Sequence, residues 1–290
     1  MKPPRFEYFA PKTLDEALAL LAAHGDRAKI LAGGQSLIPL LNFRLAHPEV
    51  LIDINGITSL AYIRPADSRL AIGALTRQHA AERSDVVAAR AAIVGEACRF
   101  IGHLPIRHRG TIGGNLAHAD PASELPAAMV ALEAEFTVAS ARGSRTLGAE
   151  QFFLGPLSTA IQPGEMLTEI RVPALPARTA SAFVEMARRA GDYALVGVAA
   201  LVTLDGSGRC QRARVALCGV GATPVRARAA EDVLIGQTPT GAALDEAAVR
   251  AASSTNPPSD VHGSADFRRR LARHFTREAI ETAARRAGAN

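Results

Sequence analysis

Two adjacent-glycine segments place the tightest limits on how this chain can fold: Ala32-Gly33-Gly34-Gln35-Ser36 and Thr111-Ile112-Gly113-Gly114-Asn115. Neighbouring glycines carry no Cβ to block positive φ or a close approach of the backbone to another group. Their N–H groups are therefore free to converge on an anion. The first pair follows Lys29-Ile30-Leu31 and the second follows Ile106 to Gly110, and each preceding run reads as a strand or tight loop. Each segment ends in a side chain that hydrogen-bonds, Ser36 or Asn115. One such loop is an ordinary turn. Two of similar build, with Gly33 and Gly113 eighty residues apart, suggest a diphosphate held from two sides.

A length of 290 residues allows one large domain or two to three smaller ones, each with its own core. A hydrophobic share of 48% against 21% charged excludes a disordered chain. With 10 Phe, 3 Tyr and no Trp, there is little to stack on successive nucleic-acid bases. The net charge of +5 suits an anionic ligand or an acidic partner better than nucleic acid. The N-terminal residues lack the apolar core of a signal peptide, and no run approaches the roughly 20 apolar residues of a membrane span. The 3 cysteines, Cys98, Cys210 and Cys218, form no CxxC pair and are too few to ligate an iron–sulfur cluster. The expectation is a soluble, cytoplasmic protein.

Three units follow from the pattern. Thr13-Leu14-Asp15-Glu16 has the spacing of a helix capping box, with apolar residues at helical spacing to Leu21 and a stop at Gly25. A strand from Ala28 to Ala32 then delivers the first glycine pair, and Val50 to Ile54 is a second strand. Two strand-like runs lie between Leu60 and Leu75, and Arg77 to Phe100 reads as mostly helical. His103 to Pro126 lacks regular periodicity and is expected to be a long ordered loop around the second glycine pair. Met129 to Val138 and Met166 to Val172 read as strands, and Pro173 to Pro176 as a linker. Beyond it, Ser181–Ala187, Leu195–Leu204 and Ala213–Gly219 are expected strands, followed by helices over Val225–Leu234, Leu244–Ser253 and Ser264–Ala287.

Several other candidate sites are weaker. Gly219-Val220-Gly221-Ala222-Thr223-Pro224 imitates a dinucleotide fingerprint, but proline replaces the third glycine, so it reads as a strand-ending turn. His103, His108, His118 and Asp120 fit no familiar metal-ligand spacing. No Gly-x-Ser-x-Gly elbow is present, and no carboxylate pair stands out for acid–base work. The chain reads as one that binds a reactive group instead of supplying one. Tyr193 begins an apolar strand, either as an edge residue in water or with its ring against a cofactor. In the C-terminal helix, Phe267, Leu271 and Phe275 mark a buried face, with Arg268, Arg269, Arg270, Arg273 and Arg277 covering the rest as a solvated or partner-docking surface.

Taken in order, Lys29 to Pro39, Arg109 to Pro121 and Arg189 to Ala194 resemble the FAD-binding medium subunit of the molybdenum hydroxylases, the carbon monoxide dehydrogenase and xanthine dehydrogenase type. The resemblance covers nearly the whole chain. It implies an α+β fold: a two-subdomain, PCMH/vanillyl-alcohol-oxidase-like FAD-binding domain (1–57 and 58–175) and a C-terminal domain (178–287) of a three-stranded antiparallel sheet with a helix bundle. It also implies non-covalent FAD, contacted by Lys29, Ile30, Leu31, Ala32, Gly33, Gly34, Gln35, Ser36, Thr111, Ile112, Gly113, Gly114 and Asn115. Ile101 and Leu167 would be apolar contacts, Glu124 would lie near the adenosine end, and Tyr193 beside the isoalloxazine ring. The molybdopterin and the [2Fe-2S] clusters would sit on a large and a small partner subunit, assembled as a dimer of heterotrimers. Electrons would pass from those clusters through FAD to an external acceptor. The other readings are a flavin-free scaffold subunit and a basic protein that grips nucleic-acid phosphates.

Overall fold

The computed structural model describes residues 2–289. The first unit comprises β1 (Glu7–Phe9), α1 (Leu14–His24), β2 (Ala28–Leu31), α2 (Leu37–Asn42) and β3 (Val50–Asp53). Its three strands are parallel in the order β1-β3-β2. The capping box forms as the sequence requires: Thr13 Oγ1 accepts from the Glu16 N–H at 3.2 Å, and the Glu16 carboxylate accepts from the Thr13 N–H at 3.4 Å. Ala17, Leu18 and Leu21 then point into a small core with Val50, Ile52 and Ile54. Strand β1 gives no sequence signal, because three residues carry no periodicity and their partners lie at Val50 to Ile52.

The second unit runs through β4 (Ile63–Ala66), β5 (Arg69–Gly73), α3 (Gln78–Glu82), α4 (Asp85–Arg90), α5 (Ala92–Phe100), α6 (Leu104–Arg109), α7 (Ile112–His118), α8 (Glu124–Ala131), β6 (Glu135–Ser140), β7 (Gly143–Gly148), α9 (Ala149–Phe152), β8 (Phe153–Gly155), β9 (Ser158–Thr159) and β10 (Met166–Pro173). Strands β4-β5-β10-β6-β7 form an antiparallel sheet in that order. Two expectations change here. The stretch from His103 to Pro126 is not a long loop but two short helices and the start of a third, so Ile106 to Gly110 is helix and turn instead of strand. Met129 to Ala131 ends α8, and only from Glu135 does the chain become a strand. All eight residues of α8 are buried, which removes the one-sided periodicity that marks a surface helix.

The third unit holds β11 (Thr179–Ala187), β12 (Ala194–Leu204), β13 (Cys210–Cys218), β14 (Val225–Arg226), α10 (Arg228–Leu234), α11 (Gly241–Ser253) and α12 (Ala265–Gly288). Its antiparallel sheet has three long strands and a two-residue fourth, β14, where the sequence suggested the start of a helix. Every residue of β12 is buried, because α12 covers one face and α8 of the second unit packs on the other, with α5 against the neighbouring β11. The buried stripe of α12 is Arg268, Ala272, Thr276, Ala279, Ile280, Ala283 and Ala287, one step round from the expected Phe267-Leu271-Phe275 face, which is only half-buried. Small side chains let the helix lie close on the sheet. Arg268, expected at the surface, is 4% exposed and donates to the carbonyls of Leu195 and Gly219 and to Asp260.

Charge joins the second and third units. Glu133, which ends α8 in a left-handed turn (φ 52°), accepts from Arg212, Arg214 and Arg226, and Arg226 also pairs with Glu150 and Glu231. The Arg226 and Glu231 side chains are only 9% and 10% exposed, whereas Glu150 is 38% exposed. Glu231→Ala removes the most buried carboxylate on Arg226 and the acceptor of the Val215 N–H, and should cost about 1–3 kcal/mol in urea denaturation although Glu133 and Glu150 still pair with the guanidinium. Glu150→Ala should cost under about 1 kcal/mol.

Candidate flavin site

The two glycine segments meet directly. A Cβ placed on Gly33 would lie 2.6 Å from the Arg109 carbonyl oxygen and 2.7 Å from the Gly110 Cα, so only glycine lets the loops touch. Gly34 has φ +73°, the left-handed region that favours glycine. A Cβ on Gly113 would strike Ala74 at 2.5 Å, which packs α7 against the end of β5. One on Gly114 would strike Thr111 Oγ1, the N-cap oxygen that accepts the Gly114 N–H at 3.0 Å.

The loops differ in what they offer a ligand. The N–H groups of Gly33, Gly34, Gln35 and Ser36 donate to no protein acceptor. In the second segment the amides after Thr111 are already used: Ile112 N–H donates to the Thr76 carbonyl, Gly113 N–H to that of Ala74, Gly114 N–H to Thr111 Oγ1 and Asn115 N–H to the Thr111 carbonyl. The first segment thus supplies free backbone donors for an anion. The second supplies a rigid floor and the Asn115 amide, whose Oδ1 accepts from Ser123 Oγ at 2.8 Å and leaves its NH2 group to donate elsewhere.

Between them lies a cavity of about 540 Å³, lined among others by Lys29, Ile30, Ala32, Gly33, Gly34, Gln35, Ser36, Thr111, Gly113, Gly114, Asn115 and Leu167. Five expected residues are not in its wall. Leu31 lies behind the loop, where Gly34 would clash with it, and Ile112 is fully buried in the core. Ile101 is a core residue at the end of α5, and Glu124 is 6% exposed at the start of α8. Tyr193 lines a second cavity of about 480 Å³ with Asp120 and Arg268. Helix α7 runs along the first cavity from Thr111 to His118, and Asp120, Pro121 and Ala122 just beyond its end line the second.

Tyr193 is 70% exposed and is carried on a turn pinned to the second unit. Gly191 has φ +85°, and a Cβ there would lie 2.6 Å from the His103 ring. Partial burial, followed by the carboxylates of Asp120 and Glu124, pushes the Tyr193 hydroxyl above its usual pKa.

Three contributors escaped sequence reasoning. Arg77 donates to Asn55 Oδ1 at 2.7 Å and to the Arg109 carbonyl, and the Asn55 amide donates to the Ala32 carbonyl at 2.7 Å. This chain bolts the first loop to the second. No motif marks Arg77, although Asn55-Gly56 was legible as a turn. The third is Glu185 of β11, which lies near Glu124; burial, then the neighbouring carboxylate, pushes it well above the usual carboxylate range, and burial raises Glu124 likewise. Among the described residues no His, Cys, Asp and Glu side chains are grouped to hold a metal ion, and no helix is long and apolar enough to cross a membrane.

This is the geometry of a dinucleotide-binding protein, with one loop of free amides, a second loop packed on it, and a cavity between two α/β subdomains. Residues 4–175 match the FAD binding domain in molybdopterin dehydrogenase, and residues 181–283 match the CO dehydrogenase flavoprotein C-terminal domain. The chain belongs to this family of FAD-binding oxidoreductase subunits. It is 44% identical to the 6-hydroxypseudooxynicotine dehydrogenase complex subunit alpha of Paenarthrobacter nicotinovorans, over 99% of this chain and 97% of that one. It is 41% identical to the carbon monoxide dehydrogenase medium chain of Afipia carboxidovorans, over 99% of each. Reconstituted CO dehydrogenase from Oligotropha carboxidovorans contains a chain of the same fold, with a TM-score of 0.96 at 40% identity, covering 99% of this chain and all of that one.

The residues present fit FAD: free amides for the diphosphate, an amide side chain beside them, and apolar Leu167 and Ile30 in the wall. Gly33→Ala should force the loops apart and lower FAD occupancy at least tenfold, read from the flavin-to-protein absorbance ratio. Arg77→Met should weaken FAD binding more mildly, since the glycine contact survives.

Proposed function

We propose that this chain holds FAD non-covalently as the electron outlet of a three-part molybdenum hydroxylase. The observation that carries the reading is the row of unspent N–H groups from Gly33 to Ser36, facing Asn115 across one cavity. Those donors take the diphosphate, where each hydrogen bond to a charged oxygen is worth roughly 1.5–3 kcal/mol. Asn115 and the wall around Leu167 hold the part of the cofactor leading away from it. Tyr193, beyond the end of α7 at the junction with the third unit, would lie beside the isoalloxazine ring.

FAD supplies two-electron redox chemistry when bound. The chain's own groups position the ring, shield one side of it and set the charge around it. Substrate oxidation belongs to a molybdopterin centre on a large partner subunit, with [2Fe-2S] clusters on a small one. The 3 cysteines of this chain are all buried and apart from the cavity, in keeping with clusters held elsewhere. A dimer of such heterotrimers in the cytoplasm is the assembly we infer. Which substrate the complex oxidises is decided on the large subunit.

Purified protein, or the chain reconstituted with FAD, should show the oxidised-flavin absorbance bands and release the chromophore on denaturation. A colourless protein after reconstitution with excess FAD would overturn the reading in favour of a scaffold role. Tyr193→Ala should keep at least half the flavin yet shift its midpoint potential in a spectroelectrochemical titration. An unchanged potential would place the ring away from Tyr193.

A further inference from the structure

One buried polar side chain in the wall of the flavin cavity has no partner in the protein. Gln78 opens α3 and is 3% exposed, yet it lines the cavity. Its Oε1 is buried and accepts from no group among the described residues. The polar side chains around it are satisfied within the protein. Thr76 donates to the Tyr62 carbonyl at 2.8 Å, Thr111 Oγ1 accepts from the Gly114 N–H, and Arg77 spans Asn55 and Arg109. Buried polar atoms are nearly always hydrogen-bonded, so an orphan in a cavity wall points to a donor brought by a ligand.

The amide is held in place. The Gln78 backbone N–H donates to the Gly110 carbonyl at 2.9 Å, and the neighbouring Arg77 and Thr111 form an antiparallel bridge. The side chain then lies against Gly110: a Cβ there would sit 2.5 Å from Gln78 Oε1 and 2.9 Å from its Cδ. Gly110 is also where Gly33 meets the second segment. The orphan oxygen and the unspent N–H groups of Gly33 to Ser36 therefore flank one contact.

These two kinds of group require different partners. Diphosphate oxygens only accept, and the free N–H groups of the first segment match them. A carbonyl oxygen needs a donor. In a flavin dinucleotide the groups on either side of the diphosphate are sugar-type chains, ribityl and ribose, whose hydroxyls both donate and accept. A cofactor that fills the cavity excludes water, so a ligand without a hydroxyl at this place leaves the oxygen unpaired at a cost.

We propose that Gln78 is a cofactor-binding residue that selects a dinucleotide with a sugar-type hydroxyl beside its diphosphate, through a hydrogen bond from that hydroxyl to Gln78 Oε1. This rests on the assignment of FAD to the site. Unpaired in the free chain, the oxygen does nothing for the fold; paired in the complex, it favours binding. An apolar side chain of similar length keeps the fold and loses the selection.

The test is a cycle between this side chain and the ligand's hydroxyls, read on the whole chain freed of flavin. Gln78→Met should melt no lower than the unsubstituted chain, yet bind FAD about tenfold more weakly in a calorimetric titration. Two FAD analogues locate the donor, one without the ribityl hydroxyls and one without the ribose hydroxyls. For one of them, the loss of affinity relative to FAD should be about tenfold smaller in the Met variant than in the unsubstituted chain. That analogue identifies the sugar. Unchanged FAD affinity in the Met variant, or losses for both analogues that are the same with and without Gln78, would overturn this inference and leave the FAD assignment standing. If the Met variant does not fold, Gln78→Leu carries the same cycle. A chain that folds with neither side chain gives the amide a structural role and overturns the inference. An unsubstituted chain that takes up no FAD would overturn both.

Discussion

The contact on which the site depends is the one between Gly33 and the Arg109–Gly110 backbone. Two loops from different subdomains come closer there than any side chain permits, and that approach leaves the first loop's amides pointing into a common cavity. The glycines serve packing first. A ligand anion then finds donors already held in place, so little ordering has to accompany binding. Arg77 and Asn55 reinforce the same contact from the side by tying both loops to the strands beneath them.

Helix α8 is the second organising element. Its far end is clamped by the arginines around Glu133, and the connection before its near end, Asp120 to Ala122, lines the cavity that Tyr193 shares. Because all of its residues are buried between two sheets and α5, it cannot shift without disturbing the core shared by the second and third units. The position of Tyr193 relative to the glycine loops is thus fixed by a rigid joint instead of a flexible linker. The segment after Pro173 links the units in sequence, but charge and apolar packing hold them together in space.

Most of the architecture was legible where one side of an element faces water. The capping box at Thr13, the strands at Ala28, Val50 and Met166, and the alternation of turns in the third unit all appear with their expected character. Legibility failed where burial is complete or where elements are very short. Helix α8 is buried on every side, so Met129 looked like the start of a strand, and the mostly small buried residues of α12 are less conspicuous than the bulky Phe267-Leu271-Phe275 row. The helix before the second glycine pair and the helix that contains it are six and seven residues long, below the length at which periodicity shows.

For the site, residues adjacent in the chain were readable and residues brought together by topology were not. Gly33 to Ser36 and Thr111 to Asn115 announce themselves because backbone freedom is a local property of glycine. By itself the sequence determined that two such loops exist and that its order of motifs is that of a flavin-binding subunit. Only the tertiary structure decided that the two loops touch, that the first carries the free amides while the second spends most of its own, and that Tyr193 opens on a second cavity just beyond the end of α7. The physical reason is that hydrogen-bond supply and carboxyl ionisation depend on what lies within a few ångströms, and the chain order does not specify those neighbours.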